Sequence, residues 1–181
     1  MGLTESEFTV LRQTISTRGT VRIILLPATF LGWSAVISAP LFTSGRLPVN
    51  ALFSLAVLAA GFEAIHALHV GVERIGRYLQ VFYEAGSDGP RWETTCMMVG
   101  PALPGGGVDP LFTLLFASAT VVNVIPALLA GLTRWEMVVI GAIHAAFLVR
   151  IGRARWAAAR QRAVELESYR AIRSGPPVPG N

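Results

Sequence analysis

Apolar residues are concentrated in four long runs that contain very few charged positions. The runs cover residues 23–42, 50–72, 111–132 and 135–149. A helix needs about 20 mainly apolar residues to cross a bilayer, and arginine or tryptophan at its ends can anchor a shorter run. The fourth run is short, but Arg134, Trp135 and Arg150 flank it. The pattern therefore predicts an all-α integral membrane protein with four transmembrane helices, residues 23–149.

The segments outside these runs are also mostly helical in pattern. Residues 1–22 are expected to form a short amphipathic helix on the membrane surface, because Thr4 and Glu7 fit a capping box. The second helix should continue to about Glu84, and the fourth should continue as a basic helix over residues 150–173.

Glycine and proline residues mark the remaining breaks. They are frequent in residues 85–110, which are expected to form a loop that packs on the helix ends or contacts a partner. Residues 174–181 begin with Ser-Gly-Pro-Pro, a sequence that ends helices, and are expected to form a flexible tail.

The arginine distribution predicts the orientation. All 15 basic residues are arginine, and 13 of them lie on one side if both termini are cytoplasmic. Only Arg46 and Arg134 would then lie outside, which is a strong positive-inside bias. The second and fourth helices would extend into the cytoplasm. Exclusive use of arginine is typical of a GC-rich genome, so we expect a bacterial inner-membrane protein.

Composition excludes several kinds of chemistry. The 181 residues are 52% hydrophobic and 14% charged, whereas soluble domains carry about 25% charged residues. Cys96 is the only cysteine, so an internal disulfide and a cysteine-built zinc or iron–sulfur site are both excluded. No phosphate-binding loop, serine-hydrolase elbow or zinc-protease motif occurs. The chain therefore lacks a complete catalytic constellation.

Polar residues in the second helix share one face. Glu63, His66, His69 and Glu73 fall within an arc of about 120° on a helical wheel. These side chains should face protein, water or a ligand, because charged and imidazole groups are unfavourable in hydrocarbon. The third histidine, His144, lies in the fourth run. Its depth can be estimated by counting residues along the second and fourth helices from either membrane boundary. Counting from the charged residues at the cytoplasmic boundary places His144 opposite the other two histidines. Counting from the outer ends of the two helices places it near Glu63.

This predicted cluster has three interpretations. In the first, the groups hydrogen-bond between helices and determine their packing, as we also expect of Asn123 in the third run. Alternatively, histidines of two helices could bind haem b, or Glu63 and His66 could join His69 and His144 in a transition-metal site. As a third alternative, the second-helix residues could relay protons or ions.

The basic helix and the small residues indicate contacts outside the chain. Anionic lipid headgroups are the expected partners of the fourth helix, with contact through Arg150, Arg153, Arg155, Arg160 and Arg162. No nucleic-acid recognition motif accompanies these arginines, so nucleic acid is not an expected partner. The pairs Gly141–Ala145 and Ala67–Gly71 permit close helix approach.

The leading functional hypothesis is a non-enzymatic structural or accessory subunit of a membrane complex. It would associate with other membrane subunits or with copies of itself. The first alternative is a redox membrane protein that binds haem or a transition metal through the histidine cluster. The second alternative is a component of a proton or ion pathway.

Overall fold

The computed structural model describes residues 5–39, 49–86, 91–99, 110–129 and 131–175. All regular elements in these residues are helical. The helices are α1 (Glu5–Ser38), α2 (Asn50–Phe82), α3 (Trp92–Val99), α4 (Pro110–Val122), α5 (Ile125–Leu129) and α6 (Arg134–Arg173). A single 3₁₀ turn, Glu84–Gly86, follows α2. The predicted tail beyond residue 175, Arg46, and residues 87–90 and 100–109 of the predicted loop lie outside the described residues.

Four helical segments are long and apolar enough to cross a membrane, as the sequence predicted. They are Glu5–Ser38, Asn50–Gly86, Phe112–Leu129 and Arg134–Arg173. The extension of the second and fourth helices is also confirmed, because α2 has 33 residues and α6 has 40. At 1.5 Å per residue these helices are about 50 and 60 Å long, well beyond the roughly 30 Å of a hydrocarbon core.

Two predicted segments are wrong. Residues 5–22 do not form a separate helix, because α1 continues from Glu5 to Ser38 without a break. The predicted loop 85–110 contains α3. The third predicted span is found as one candidate span, Phe112–Leu129. Its helix is interrupted after Val122, because Pro126 lacks an N–H and its ring clashes with the carbonyl group four residues earlier.

Contacts divide the chain into two units, which are described separately. The bundle unit comprises residues 21–67 and 110–155, and the polar unit comprises residues 1–20, 68–109 and 156–181.

Phe62 of α2 is at the centre of the core of the bundle unit. Its ring is 5.4 Å from that of Phe116 on α4 and 5.8 Å from that of Phe147 on α6. Leu58 and Ile65, one turn to either side on α2, are fully or almost fully buried in the same cluster. This spacing of three and four residues is how an α-helix buries one face.

Neighbouring helices alternate in direction within the bundle unit. Thr29 of α1 lies against Gly61 of α2, while Gly32 lies beside Val57, so these helices are antiparallel. Ala51 of α2 and His144 of α6 both contact Asn123, and further along the two helices Glu63 contacts Arg150. Because both contacts follow the same order along the two helices, α2 and α6 are parallel. An up-and-down order of the helices gives this alternation.

Aromatic contacts and one buried carboxylate organise the polar unit. Phe8 of α1 stacks on Tyr83 with ring centroids 4.0 Å apart, and Tyr78 of α2 packs edge-on to Tyr169 of α6. Glu84 accepts hydrogen bonds from the backbone N–H groups of Glu93 and Thr94, at 2.6 and 2.8 Å. Glu84 therefore caps α3, because the first N–H groups of a helix have no partner inside the helix.

Candidate functional site

Asn123 forms the main polar contact in the bundle unit. Its side chain is fully buried at the break between α4 and α5. Its Oδ1 accepts hydrogen bonds from Trp33 Nε1 at 2.9 Å and from Ser54 Oγ at 2.5 Å. Its Nδ2 donates to the carbonyl oxygen of Ala51 at 2.7 Å and lies 2.9 Å from His144 Nε2. The expected interhelical hydrogen bond of Asn123 is thus confirmed, and one amide links α1, α2, α4 and α6.

The partners of Asn123 determine the protonation pattern of His144. The indole of Trp33 only donates and the carbonyl of Ala51 only accepts, so the orientation of the amide is defined. The second amide hydrogen therefore points at His144 Nε2, which must accept it. His144 Nδ1 lies 2.7 Å from the carbonyl oxygen of Ile140 and must carry the hydrogen. Both ring nitrogens are thus engaged within the protein in the neutral tautomer.

The structure places His144 away from His66. Through Asn123, His144 lies level with Ala51 and Ser54, and His66 follows Ser54 by twelve positions, about 18 Å along α2. The count from the inner charges is therefore wrong, and the count from the outer ends is nearer to the observed depth.

The other predicted cluster residues of the bundle unit have separate contacts. Glu63 accepts a hydrogen bond of 2.7 Å from Arg150, and each side chain is nearly half exposed. His66 stacks on Phe62 with ring centroids 5.8 Å apart. His69 and Glu73 belong to the polar unit. Within the described ranges, no group of three or more His, Cys, Asp or Glu side chains is arranged to hold a metal ion.

Charged side chains of α2 and α6 form an ion-pair network in the polar unit. Arg77, only 3% exposed, contacts Glu165 at 2.8 Å and Glu73 at 3.0 Å. Arg162 also binds Glu73 at 3.2 Å, and Arg74 binds Glu165 at 3.1 Å. Of the four residues predicted on the polar face of α2, this network therefore contains Glu73. The sequence pattern identified Glu73 but did not assign Glu165, whose only signal was an acidic position in a basic helix.

The five predicted lipid-contacting arginines have different surroundings. Arg150 and Arg162 are in ion pairs, as described above. The guanidinium of Arg160 lies 3.7 Å from the ring centroid of Trp156, a cation–π geometry. Arg153, Arg155 and Arg160 are exposed and form no ion pair within the described residues, so these three of the five keep their charges available to an external anion.

Glu93 joins α3 to the N-terminal part of α1. Its carboxylate is 2.9 Å from Arg12 and is 19% exposed. Burial raises the pKa of Glu93, although the attraction of Arg12 opposes the shift; the charges of Glu84 and Glu73 raise the pKa further. Burial therefore outweighs the ion pair at this position.

Comparisons with known proteins add no functional assignment. The chain matches no protein-family model, and neither a curated protein nor a solved structure is significantly similar to it.

Proposed function

We propose that the protein is a non-enzymatic accessory subunit of a membrane complex in a bacterial inner membrane, with both termini in the cytoplasm. The observation that carries this proposal is that every hydrogen-bonding group of the Asn123 side chain has a partner within the protein. Its two lone pairs and two hydrogens all have partners, and His144 has a partner on each ring nitrogen. A reaction or transport site needs at least one polar group that is open to substrate, whereas a structural core does not.

Exposed apolar surface supports association within the membrane. Only 6% of the most apolar part of α1 is buried, compared with 28–33% for the other three candidate spans. Ile23 and Leu31 are each 71% exposed on this helix. Surface of this kind is stable only against lipid or another apolar helix. The partners of α1 would therefore be lipid together with another membrane subunit or a second copy of the chain.

Two observations support the proposed orientation. The arginine distribution favours cytoplasmic termini. In addition, α2 and α6 are parallel in the bundle unit, as the second and fourth crossings of a four-span protein must be, which supports two termini on the same side of the membrane. The polar unit would then be cytoplasmic.

The mass of the extracted particle tests the accessory role. The chain should be extracted from its native membrane in a mild detergent and measured by light scattering after size exclusion. A protein mass well above 19.4 kDa is expected. A monodisperse single chain would overturn the proposal. An absorption spectrum of the same sample gives a second test, because a haem Soret band that disappears in His144→Ala would favour the redox alternative instead.

Cys96 provides a test of orientation without an added label site. It is exposed in α3 and is the only cysteine of the chain. A membrane-impermeant maleimide should label it in inverted vesicles but not in spheroplasts. The matched control is Arg134→Cys in a Cys96→Ser background, which should give the reverse pattern. Labelling of Cys96 in spheroplasts would contradict cytoplasmic termini.

A further inference from the structure

A cavity of about 440 Å³ lies in the polar unit. The ends of α2 and α6, the 3₁₀ turn and the start of α3 form its walls. Three arginines line it: Arg91 just before α3, and Arg170 and Arg173 in the last turn of α6. Its volume lies within the range of roughly 300–1,000 Å³ that is common for small-molecule sites.

These three arginines differ from four other arginines of the polar unit. Arg12, Arg74, Arg77 and Arg162 each form an ion pair with a glutamate. Among the residues that the structure describes, no carboxylate pairs with the three arginines of the cavity. Arg173 Nη1 donates to the carbonyl oxygen of Val81 at 2.7 Å, a contact that positions the guanidinium but does not neutralise it.

Glu84 also lines the cavity, but its charge is already engaged. Its two carboxylate oxygens accept three hydrogen bonds from the start of α3, two from backbone N–H groups and one from the Thr94 hydroxyl. The positive end of the α3 dipole further compensates this carboxylate. Three arginines and one glutamate leave the cavity with a net positive charge, which favours an anionic ligand.

We propose that this cavity binds a phosphate monoester. Guanidinium groups match phosphate oxygens with paired, charge-assisted hydrogen bonds. A phosphate monoester carries a charge of about −1.5 to −2 near neutral pH, which complements the charge of the cavity. The phosphate group belongs either to a soluble metabolite or to a lipid headgroup, and this site is independent of the accessory role proposed above.

Calorimetry on the full chain in detergent tests the site, with glycerol 3-phosphate as the probe. Binding is expected, and Arg170→Ala should weaken it at least tenfold. The side chain of Arg170 is exposed and makes no side-chain hydrogen bond or ion pair among the described residues, so this variant should fold. Arg160→Ala is the matched control, since Arg160 lies on the same helix but outside the cavity, against Trp156.

The outcomes separate specific binding from general attraction to basic protein. No heat of binding at millimolar probe, or equal weakening by the two arginine variants, would overturn the proposal. Calorimetry with a short-chain phosphatidic acid in the same detergent distinguishes the sources. Tighter binding of the phosphatidic acid than of glycerol 3-phosphate indicates a lipid headgroup, whereas tighter binding of glycerol 3-phosphate indicates a soluble metabolite.

Discussion

Replacement of Asn123 should destabilise the helix bundle by a measurable amount. Asn123→Leu keeps the side-chain size close to that of asparagine but removes all four hydrogen bonds. Interhelical hydrogen bonds in membrane proteins contribute about 0.6 kcal/mol each on average, so the expected loss is about 2.4 kcal/mol. The indole N–H of Trp33 and the carbonyl of Ala51 would also lose their partner. The free energy of unfolding is measured in mixed detergent–SDS micelles by circular dichroism.

A double-mutant cycle isolates the contact between Asn123 and His144. The cycle uses Asn123→Leu, His144→Phe and the double variant, because pairwise coupling is visible only when both partners are removed. A coupling energy of about 0.6 kcal/mol is expected, with an upper bound of about 1.7 kcal/mol. Ser118→Ala is the matched control on exposed α4 surface and should change stability by less than about 0.5 kcal/mol. A loss in Asn123→Leu no larger than in this control would refute the structural role of the amide.

Three further perturbations test the packing and the ion pairs. Arg77→Ala should destabilise the fold by about 1–3 kcal/mol, because it removes the buried guanidinium that pairs with both Glu73 and Glu165 and leaves them only the more exposed Arg162 and Arg74. The half-exposed Arg74→Ala should change stability by less than about 1 kcal/mol. Equal losses in chemical unfolding would contradict this account. Gly61→Ala places a methyl group against the Thr29 side chain of α1 and should lower the thermal midpoint of unfolding. In Gly141→Ala the methyl group enters open space, so the midpoint should stay unchanged or rise. Equal midpoints in the two variants would contradict close packing of α1 against α2. Burial raises the pKa of Glu93 above its ordinary value of 4.5, so the folded state holds this proton more tightly and stability falls as pH rises through the raised pKa. Denaturant titrations between acidic and neutral pH measure this loss of stability, which should be smaller in Glu93→Gln. If the variant loses as much stability as the parent protein, the Glu93 carboxyl is not the cause.

The helices were predictable because their signals are local. The apolar runs, the length of α6 and its end at Ser174 follow from residue type and spacing along a single segment. The same is true of the polar face of α2. The division of the third span was harder to predict. Pro126 is a local signal for a helix break, and the break lies three positions before it, at Asn123.

The partners of the polar groups were not predictable from the same signals. Arg162 and Glu73 are 89 positions apart, and Asn123 and Trp33 are 90 apart. Hydropathy shows that a segment is long enough to cross a membrane, but not its depth or its rotation about its own axis. A shift of one turn, about 5.4 Å, changes which side chains meet across a helix pair.

The histidines show where local patterns end and packing begins. Residue spacing is sufficient to place His66 on the polar face of α2 and His144 within an apolar helix. The packing of the four helices sets the depth of His144, because it brings the ring against Asn123 and Ile140 and away from His66. Local spacing therefore established the helices and their faces, whereas hydrogen bonds between helices distant in sequence established which of those faces meet.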